Sequence, residues 1–384
     1  MNDDRPGRRL TTRKKAVFAA ATLTAAFLLA EVTVRATRSH TDLWALTGRA
    51  LGPDPKASWA DVDAFCAYRA RPGRYTGYGG NEKVKSVNSD GYISTPEVSL
   101  QKSPGTIRLA FLGESSCAGT GYNPVLADQE TWPWLVAERL RAALPGVELD
   151  FLNAAGSGFT TFESMGRLWA RVRFYHPDAI VVYHAWNDLT FLHPDQLAEG
   201  PLHRWRVEVD GNWLLRRRLA SIEPLAIDHL IWPSQVLSKV RGRLSPRITG
   251  WRDPRPQAED CDLRGLSVSR DNLRLVLSSA RTLGMEPFVC KQATLVVPEL
   301  GTADRARCEQ YSFSWEAHVK AYRAYWAMID EEVPRERVID VTAINGRPDL
   351  FYDHVHPTPA GAQEVARLVA DALLPWVRER AGSK

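Results

Sequence analysis

Short apolar runs of strand type alternate with amphipathic helical stretches from residue 106 to the end of the chain. The apolar runs lie at residues 106–113, 147–156, 178–188, 286–297 and 338–344. Parallel strands need helical crossovers, and those helices cover both faces of the sheet. The alternation therefore predicts an α/β fold, a three-layer α/β/α sandwich with a five-stranded parallel sheet. Ligands of such sheets bind at the carboxyl ends of the strands, where we expect a site.

The composition is that of an ordinary globular protein. Hydrophobic residues make up 44% of the 384 residues and charged residues 24%, which excludes disorder for the bulk of the chain. The net charge of +4 is a mild basic excess, compatible with an anionic membrane surface or an acidic polymer. We expect no nucleic-acid partner.

The five cysteines form no C-x-x-C pair, so the sequence supports neither a zinc site nor a thioredoxin-like motif. In an exported domain, one bridge between Cys261 and Cys308 is an option, and buried free thiols are the alternative. No phosphate-binding loop and no cluster of metal ligands appears. We therefore predict no cofactor and no metal.

The N-terminal segment carries a location signal. An uncharged apolar run at residues 16–30 ends at Glu31 and follows six basic residues, Arg5, Arg8, Arg9, Arg13, Lys14 and Lys15. As a helix the run covers about 22 Å, and a bilayer core of about 30 Å requires residues 31–34 as well. We predict a single-pass membrane anchor with the basic residues in the cytoplasm and the remainder outside. Secretion after cleavage of a signal peptide is the alternative.

These signals predict three regions. Residues 1–40 form the basic tail and anchor helix, residues 41–105 a tether with short edge strands, and residues 106–384 the main domain. An insertion at about 190–262 interrupts the main domain, is rich in basic residues and contains four tryptophans, Trp205, Trp213, Trp232 and Trp251. We interpret it as a lid, a polymer groove or a membrane-contacting flap, with a solvated subdomain as the alternative.

Polar residues follow several of the predicted strands. Residues 113–116 read GESS, residues 153–158 read NAAGSG, residues 186–188 read WND, and residues 353–356 read DHVH. In this order the four blocks resemble the SGNH hydrolases, also called the GDSL esterase and lipase family, in a membrane-anchored bacterial form. The resemblance spans about residues 106–375 and implies the flavodoxin-like sandwich of the SGNH hydrolase fold.

The residue types suit a catalytic triad. A serine hydroxyl becomes nucleophilic when an imidazole accepts its proton, and an acid on the other ring nitrogen fixes the tautomer. Ser115 takes the first role, His356 the second and Asp353 the third. We expect Thr358 to cap the following helix and Pro359 to occupy its first position, which holds the imidazole in place.

The family pattern also implies an oxyanion hole. Its donors are the backbone N–H of Ser115, the backbone N–H of Gly158 and the side-chain amide of Asn187. Glycine suits its position because backbone must approach the substrate closely. Removing one such donor costs about 100- to 1000-fold in rate.

Several neighbours compete for these roles. Ser116 or Cys117 is the alternative nucleophile, and His184 or His354 the alternative base. Only His356 follows an aspartate by three residues, so we interpret His354 as a flanking surface or substrate-side residue. Simpler structural interpretations also remain: Ser115 as a helix cap, Gly158 as a turn residue and Asn187 as a strand cap. We expect Asp188 to bind loop backbone.

The sequence departs from the family at two positions. Glu114 replaces the usual aspartate, which lengthens a side chain beside the nucleophile. Trp186 stands beside Asn187, where it narrows access or stacks on a sugar ring. Both departures bear on substrate choice.

We therefore expect an exported serine esterase that hydrolyses O-acyl esters, most simply O-acetyl, of envelope or extracellular carbohydrate. The alternatives are a polysaccharide O-acetyltransferase with the same triad, a lipid esterase and a non-catalytic binding module. The expected partners are an acylated small molecule or polysaccharide and the membrane at the N-terminal helix.

Overall fold

The computed structural model describes the chain in ten ranges and as two compact units. The described residues are 11–37, 60–63, 65–75, 83–120, 126–194, 227–231, 233–248, 258–306, 308 and 313–382. One unit combines Met1–Lys56 with Leu215–Pro254, and the other combines Ala57–Leu214 with Arg255–Lys384. All four tryptophans of the predicted insertion lie outside the described residues, and the interpretations of that insertion stay predictions.

A five-stranded parallel sheet forms the centre of the larger unit. Four short strands precede it in the chain, β1 to β4, and the sheet consists of β5 (Ile107–Gly113), β6 (Leu149–Asn153), β7 (Ala179–His184), β8 (Glu286–Lys291) and β9 (Val338–Asp340). The strand order is β6-β5-β7-β8-β9, the doubly wound order of flavodoxin-like folds. Every residue of β5 and β7 is buried, as expected for central strands covered on both faces. The predicted fold class is confirmed.

Helices of the larger unit cover the sheet. In chain order, the helices of the described residues in both units are α1 (Thr12–Ala36), α2 (Ser115–Ala118), α3 (Trp132–Ala143), α4 (Thr161–Ala170), α5 (Asp228–Ile231), α6 (Gln235–Ile248), α7 (Leu266–Thr282), α8 (Thr302–Arg305), α9 (Trp315–Glu332) and α10 (Pro359–Gly382). Helices α3 and α10 pack together, and α7 packs against both α4 and α9. Right-handed crossovers in this strand order put the α3 crossover on one face and the α4, α7 and α9 crossovers on the other.

The residues before the sheet form two antiparallel hairpins. Strands β1 (Ala60–Asp63) and β2 (Ala67–Ala70) pair, as do β3 (Gly73–Tyr75) and β4 (Lys85–Val87). The Tyr68 hydroxyl donates to the Ser157 carbonyl at 2.8 Å, in the loop that follows β6. The Thr95 hydroxyl accepts from the backbone N–H of Asn153 at 2.9 Å. This segment therefore supports the carboxyl end of β6.

In the smaller unit, α6 begins against the end of α1. The Glu31 carboxylate accepts the backbone N–H groups of Gln235 and Val236 at 2.8 and 3.0 Å and the Ser234 hydroxyl at 2.9 Å. A carboxylate at a helix N-terminus accepts hydrogen bonds from N–H groups that have no partner within the helix, and its negative charge interacts favourably with the positive end of the helix dipole. Helix α1 is exposed over residues 12–29 and, by length and composition, is able to cross a membrane.

Of the two options for the cysteines, the structure has the buried free thiols: all five cysteines are free and buried, and no Cys261–Cys308 bridge forms. The expected cap of α10 does form, because Thr358 Oγ1 accepts from the Gly361 N–H at 3.1 Å.

Gly113 ends β5 where the chain folds back closely, so its replacement tests this turn. A Cβ at position 113 would lie 2.6 Å from the Cys117 Cβ and 2.9 Å from the Tyr183 carbonyl oxygen. We expect Gly113→Ala to lower the free energy of unfolding by about 1–3 kcal/mol, the cost typical of overpacking. Urea unfolding of the full chain in detergent measures it. Gly301→Ala is the matched control, since that Cβ meets nothing within 4 Å; equal losses in both variants would contradict the prediction.

Candidate active site

Ser115 lies in a tight turn between β5 and α2. Glu114 follows the strand, and its carbonyl accepts the N–H groups of Cys117 and Ala118 at 3.0 and 2.9 Å. Ser115 is therefore the first residue of α2, while Glu114 holds the cap position. The Ser115 hydroxyl therefore lies at the carboxyl edge of the parallel sheet, where ligands of such folds bind.

Asp353 and His356 lie in the turn before α10. One oxygen of Asp353 accepts the backbone N–H groups of Val355 and His356 at 3.0 and 2.9 Å. The other lies 2.7 Å from His356 Nδ1. The carboxylate therefore orients both the turn and the imidazole ring. Burial alone raises the pKa of Asp353, but the hydrogen bond and charge of His356 outweigh it and hold that pKa well below its ordinary value.

The imidazole joins this turn to the serine. His356 Nε2 lies 2.8 Å from Ser115 Oγ, and both side chains are buried at 8% exposure. Ser115, His356 and Asp353 thus form one continuous chain of hydrogen bonds. Such a chain can remove the serine proton, stabilise the imidazolium and fix its tautomer.

The two further predicted donors lie in neighbouring loops. Gly158 has φ of +73°, a conformation that favours glycine. The Asn187 amide nitrogen donates to the carbonyl of Phe159, the next residue, at 3.0 Å. The Asn187 backbone N–H donates to Glu114 at 3.0 Å. Asn187 therefore contacts the chain neighbours of both Gly158 and Ser115, while its predicted oxyanion role stays a prediction.

A family comparison accounts for this arrangement. Residues 111–364, more than half of the chain, match the model of the GDSL-like Lipase/Acylhydrolase family. The chain belongs to this family. This GDSL-like hydrolase is an ester-hydrolysing enzyme, and the family predicted from the four blocks is confirmed. A comparison with curated protein sequences finds no match.

The solved structures to which this chain is similar are distant in sequence. They include Axe2, an acetylxylan esterase from Geobacillus stearothermophilus, at 14% identity and a TM-score of 0.41, covering 71% of this chain and 96% of that one. LAE5, an alpha/beta hydrolase enzyme from the metagenome of Lake Arreo, Spain, has 14% identity and a TM-score of 0.39, covering 71% and 96%. A putative GDSL-like lipase from Parabacteroides merdae has 14% identity and a TM-score of 0.38, covering 72% and 98%.

The rival residues of the GDSL-like hydrolase are engaged elsewhere. Ser116 Oγ lies 3.2 Å from Gln292 Nε2, and burial raises the pKa of the Cys117 thiol. His184 lies 2.7 Å from the Ser164 hydroxyl, is 1% exposed, and has its pKa lowered to about 3 by burial. Asp188 binds the Thr161 backbone N–H at 2.9 Å, the contact type expected of it.

The interpretation of His354 as a surface or substrate-side residue is wrong. It is 2% exposed, and its ring centroid lies 3.7 Å from that of Trp186. Burial lowers the pKa of His354 to about 3, so the ring is neutral at neutral pH. Trp186 also stacks on His318 at 5.1 Å and on Tyr322 at 6.4 Å. The half-buried Trp186 therefore packs against other rings of the protein, and the expectation that it narrows access or stacks on a sugar ring stays a prediction.

Gln292, which follows β8 directly, is a further residue of the site that was not among the predicted ones. Its amide Nε2 donates to Glu114 Oε1, and its Oε1 accepts from the Trp186 backbone N–H at 2.9 Å. Gln292 and Glu114 are both fully buried. Gln292 lies inside the run predicted as a strand, residues 286–297, whereas β8 ends at Lys291. A polar amide that interrupts an apolar run is the signal by which it could have been found.

A cleft of about 200 Å³ opens beside the serine. Its described lining consists of Ser115, Ser116, Gly119, Thr120, Leu126, His356 and Pro357. Lys85 supports this wall, because its buried ammonium donates to the Ser94 hydroxyl at 2.8 Å and the Ala118 carbonyl at 3.4 Å. The cleft gives Ser115 access to a substrate from one side while the imidazole occupies another.

One group of side chains has atoms of the kind that bind metal ions, all within 4.8 Å of one another: Asp353, His354 and His356. His356, however, directs both ring nitrogens to other partners, Asp353 and Ser115. A cation at this position would displace one of those hydrogen bonds. The residues therefore fit a metal poorly, and the expectation of no metal or cofactor stays a prediction.

The pH dependence of stability tests the buried Glu114. Burial raises the pKa of Glu114 from 4.5 to about 7. Between pH 4.5 and about 7, Glu114 is protonated in the folded chain and ionised in the unfolded chain. Because the folded chain binds the extra proton, the free energy of unfolding falls as pH rises through this range. Glu114→Gln removes this titration. We expect the unfolding free energy of the variant to rise relative to wild type from pH 4.5 to 7.

Urea unfolding at steps of pH measures the difference. Glu316→Gln, at an exposed position of α9, is the matched control for loss of a carboxylate. A difference between Glu114→Gln and wild type that stays constant across this range would contradict the prediction.

Proposed function

We propose that this GDSL-like hydrolase is an exported serine esterase that removes O-acetyl groups from envelope or extracellular carbohydrate. One observation carries the proposal, the continuous hydrogen bonds from Asp353 through His356 to Ser115, at 2.7 and 2.8 Å. Nothing about folding requires these three residue types to meet at a sheet edge. Their contact is the arrangement that activates a serine hydroxyl.

The reaction follows from these contacts in two steps. His356 Nε2 accepts the Ser115 proton as Oγ attacks the ester carbonyl carbon. The tetrahedral intermediate collapses, the bond to the sugar oxygen breaks, and His356 returns the proton to that oxygen. Water then attacks the acyl-enzyme, His356 takes its proton and gives it to Ser115 Oγ, and acetate leaves. Asp353 stays ionised and stabilises the imidazolium throughout.

The developing oxyanion requires donors. In this proposal they are the backbone N–H groups of Ser115 and Gly158 and the Asn187 amide. The positive φ of Gly158 and the hydrogen bonds that tie Asn187 to Phe159 and Glu114 support the assignment, because preorganised donors need no rearrangement during the reaction.

In this proposal the acetyl group lies in the cleft beside Ser115, whose described lining includes Ser116, Gly119, Thr120 and Leu126. The carbohydrate part of the proposal is supported by the tryptophans of the predicted insertion, since aromatic faces stack on the apolar faces of sugar rings.

Substitution of the serine tests the reaction and the substrate together. We expect Ser115→Ala to lower acetate release from acetylated xylan by about 10⁴-fold or more, because the nucleophile is lost. A fluorophosphonate probe is expected to label wild type at Ser115 and to leave the variant unlabelled. Ser278→Ala, at an exposed position of α7, is the control for loss of a hydroxyl.

The same assay separates the alternatives. Full activity in Ser115→Ala would remove Ser115 from the role. Labelling without acetate release would point to another acyl ester, such as a lipid ester. Acylated glycan formed in the presence of a glycan acceptor would identify an acetyltransferase, and absence of labelling a binding module.

Helix α1 supports the location that we propose, a membrane anchor with the catalytic unit outside the cytoplasm. Its 25 residues span about 37 Å, more than the hydrocarbon core of about 30 Å. The six basic residues before and within its start favour a cytoplasmic N-terminus.

Membrane extraction tests the anchor. We expect the full chain to stay in the membrane pellet after an alkaline carbonate wash, and the intact mass to retain residues 1–40. Leu23→Asp combined with Phe27→Asp is expected to release it, because each buried charge costs about 2.5–3.5 kcal/mol. Leu23→Ala with Phe27→Ala is the matched control. A mature chain that lacks α1 would instead support secretion after cleavage.

A further inference from the structure

Two fully buried side chains bind consecutive backbone N–H groups beside the serine. Gln292 Oε1 accepts from the Trp186 N–H at 2.9 Å, and Glu114 Oε2 accepts from the Asn187 N–H at 3.0 Å. The two side chains also bind each other, through Gln292 Nε2 and Glu114 Oε1. The result is a closed set of hydrogen bonds that links the carboxyl ends of β5 and β8 to the loop after β7.

The orientation of the Gln292 amide is fixed by its partners. Its Nε2 faces a carboxylate and its Oε1 faces a backbone donor, so each atom meets its complement. A flipped amide would point N–H groups at the Trp186 N–H and an oxygen at the carboxylate. Both mismatches would be buried, where an unsatisfied donor or acceptor is costly.

Glu114 is an acceptor in all of these contacts. Its oxygens receive N–H groups from Asn187 and Gln292, and Ser116 Oγ lies 3.5 Å away. Among charged and titratable groups, His356 and Asp188 act on it across the site, and the buried Tyr183, Tyr322 and Tyr325 also lie within its electrostatic range. A neutral amide from Gln292 can approach this carboxylate without adding a charge.

We propose that Glu114 and Gln292 act as a clamp that positions Asn187 for the ester reaction, which makes Gln292 a positioning residue for transition-state stabilisation. The inference rests on the proposed function, since it concerns the Asn187 amide as an oxyanion donor. The clamp fixes the two consecutive peptide units on either side of the Trp186 Cα. The side-chain amide of Asn187 is then held against the Phe159 carbonyl, in the loop of Gly158.

Exchange of the two side chains tests the clamp, because the exchanged pair can make the same hydrogen bonds. In Glu114→Gln/Gln292→Glu, the amide at position 114 donates to the carboxylate at 292 and still accepts from Asn187. The carboxylate at 292 accepts from Trp186. Each single variant breaks the set: Glu114→Gln opposes two amide donors, and Gln292→Glu opposes two carboxylates.

Steady-state hydrolysis of p-nitrophenyl acetate by the full chain is the measurement. We expect each single variant to lose about 10- to 100-fold in kcat, a part of the effect of removing one oxyanion donor, with KM changed less than about threefold. We expect the exchanged variant to recover kcat to within about threefold of wild type. Such a rescue is strongly non-additive, as expected for two groups in direct contact.

The exchanged variant also decides the case where a single variant fails to fold. If it fails to fold, or folds with kcat no better than the product of the single effects, the clamp is overturned. Unchanged kcat in both single variants overturns it equally. A rise in KM with constant kcat would indicate ground-state binding and would also contradict a positioning role.

Two controls separate this inference from the proposed function. Gln363→Glu makes the same chemical change on the exposed face of α10, where Gln363 accepts from Arg139 at 3.0 Å, and is expected to leave kcat unchanged. Ser115→Ala tests the nucleophile alone. Activity retained in Ser115→Ala would refute the proposed function, whereas loss in Ser115→Ala with additive effects at positions 114 and 292 would refute only the clamp.

Discussion

One hydrogen bond, from Ser115 Oγ to His356 Nε2 at 2.8 Å, joins two segments 241 residues apart in the chain. This hydrogen bond depends on the parallel sheet, because the carboxyl end of β5 must lie at the same sheet edge as the turn that precedes α10. It depends equally on two local turns. Gly113 lets α2 fold back against β5, and Thr358 starts α10 directly after the imidazole. The candidate site therefore lies where the first strand of the parallel sheet in the chain meets the turn before the last helix.

The two carboxylates beside this contact have opposite environments. Asp353 accepts two backbone N–H groups and faces the imidazole, which holds its pKa low despite burial. Glu114 has no cation in hydrogen-bond contact among its described partners, and burial raises its pKa to about 7. Environments that push two carboxyl pKa values apart assign them different tasks. In the proposed mechanism Asp353 remains charged to support the proton transfer, whereas Glu114 accepts hydrogen bonds from backbone and amide donors.

The sequence predicts the elements that repeat a simple pattern. The strands follow from apolar runs separated by helical periodicity, and the triad candidates follow from strand ends and from the three-residue spacing of Asp353 and His356. The burial of His354 and the stacking of Trp186 could not be predicted in this way. Both depend on α9, whose His318 and Tyr322 are distant in sequence and meet the loop after β7 only in the folded chain. The choice between a bridge at Cys261 and free thiols could not be made from the sequence either, because the number of residues between two cysteines does not give the distance between them in the folded chain.

The contact with Gln292 explains why position 114 has glutamate where the family usually has aspartate. An aspartate there would be shorter by one methylene, and a carboxylate at that depth would have to reach both the Asn187 N–H and the Gln292 amide. Glutamate at 114 extends the carboxylate between these two partners. In return, Gln292 satisfies the Trp186 N–H, which would otherwise be left without that acceptor. The longer acid and the buried amide are therefore parts of one arrangement, and a substitution at one position should be tolerated only with a complementary change at the other.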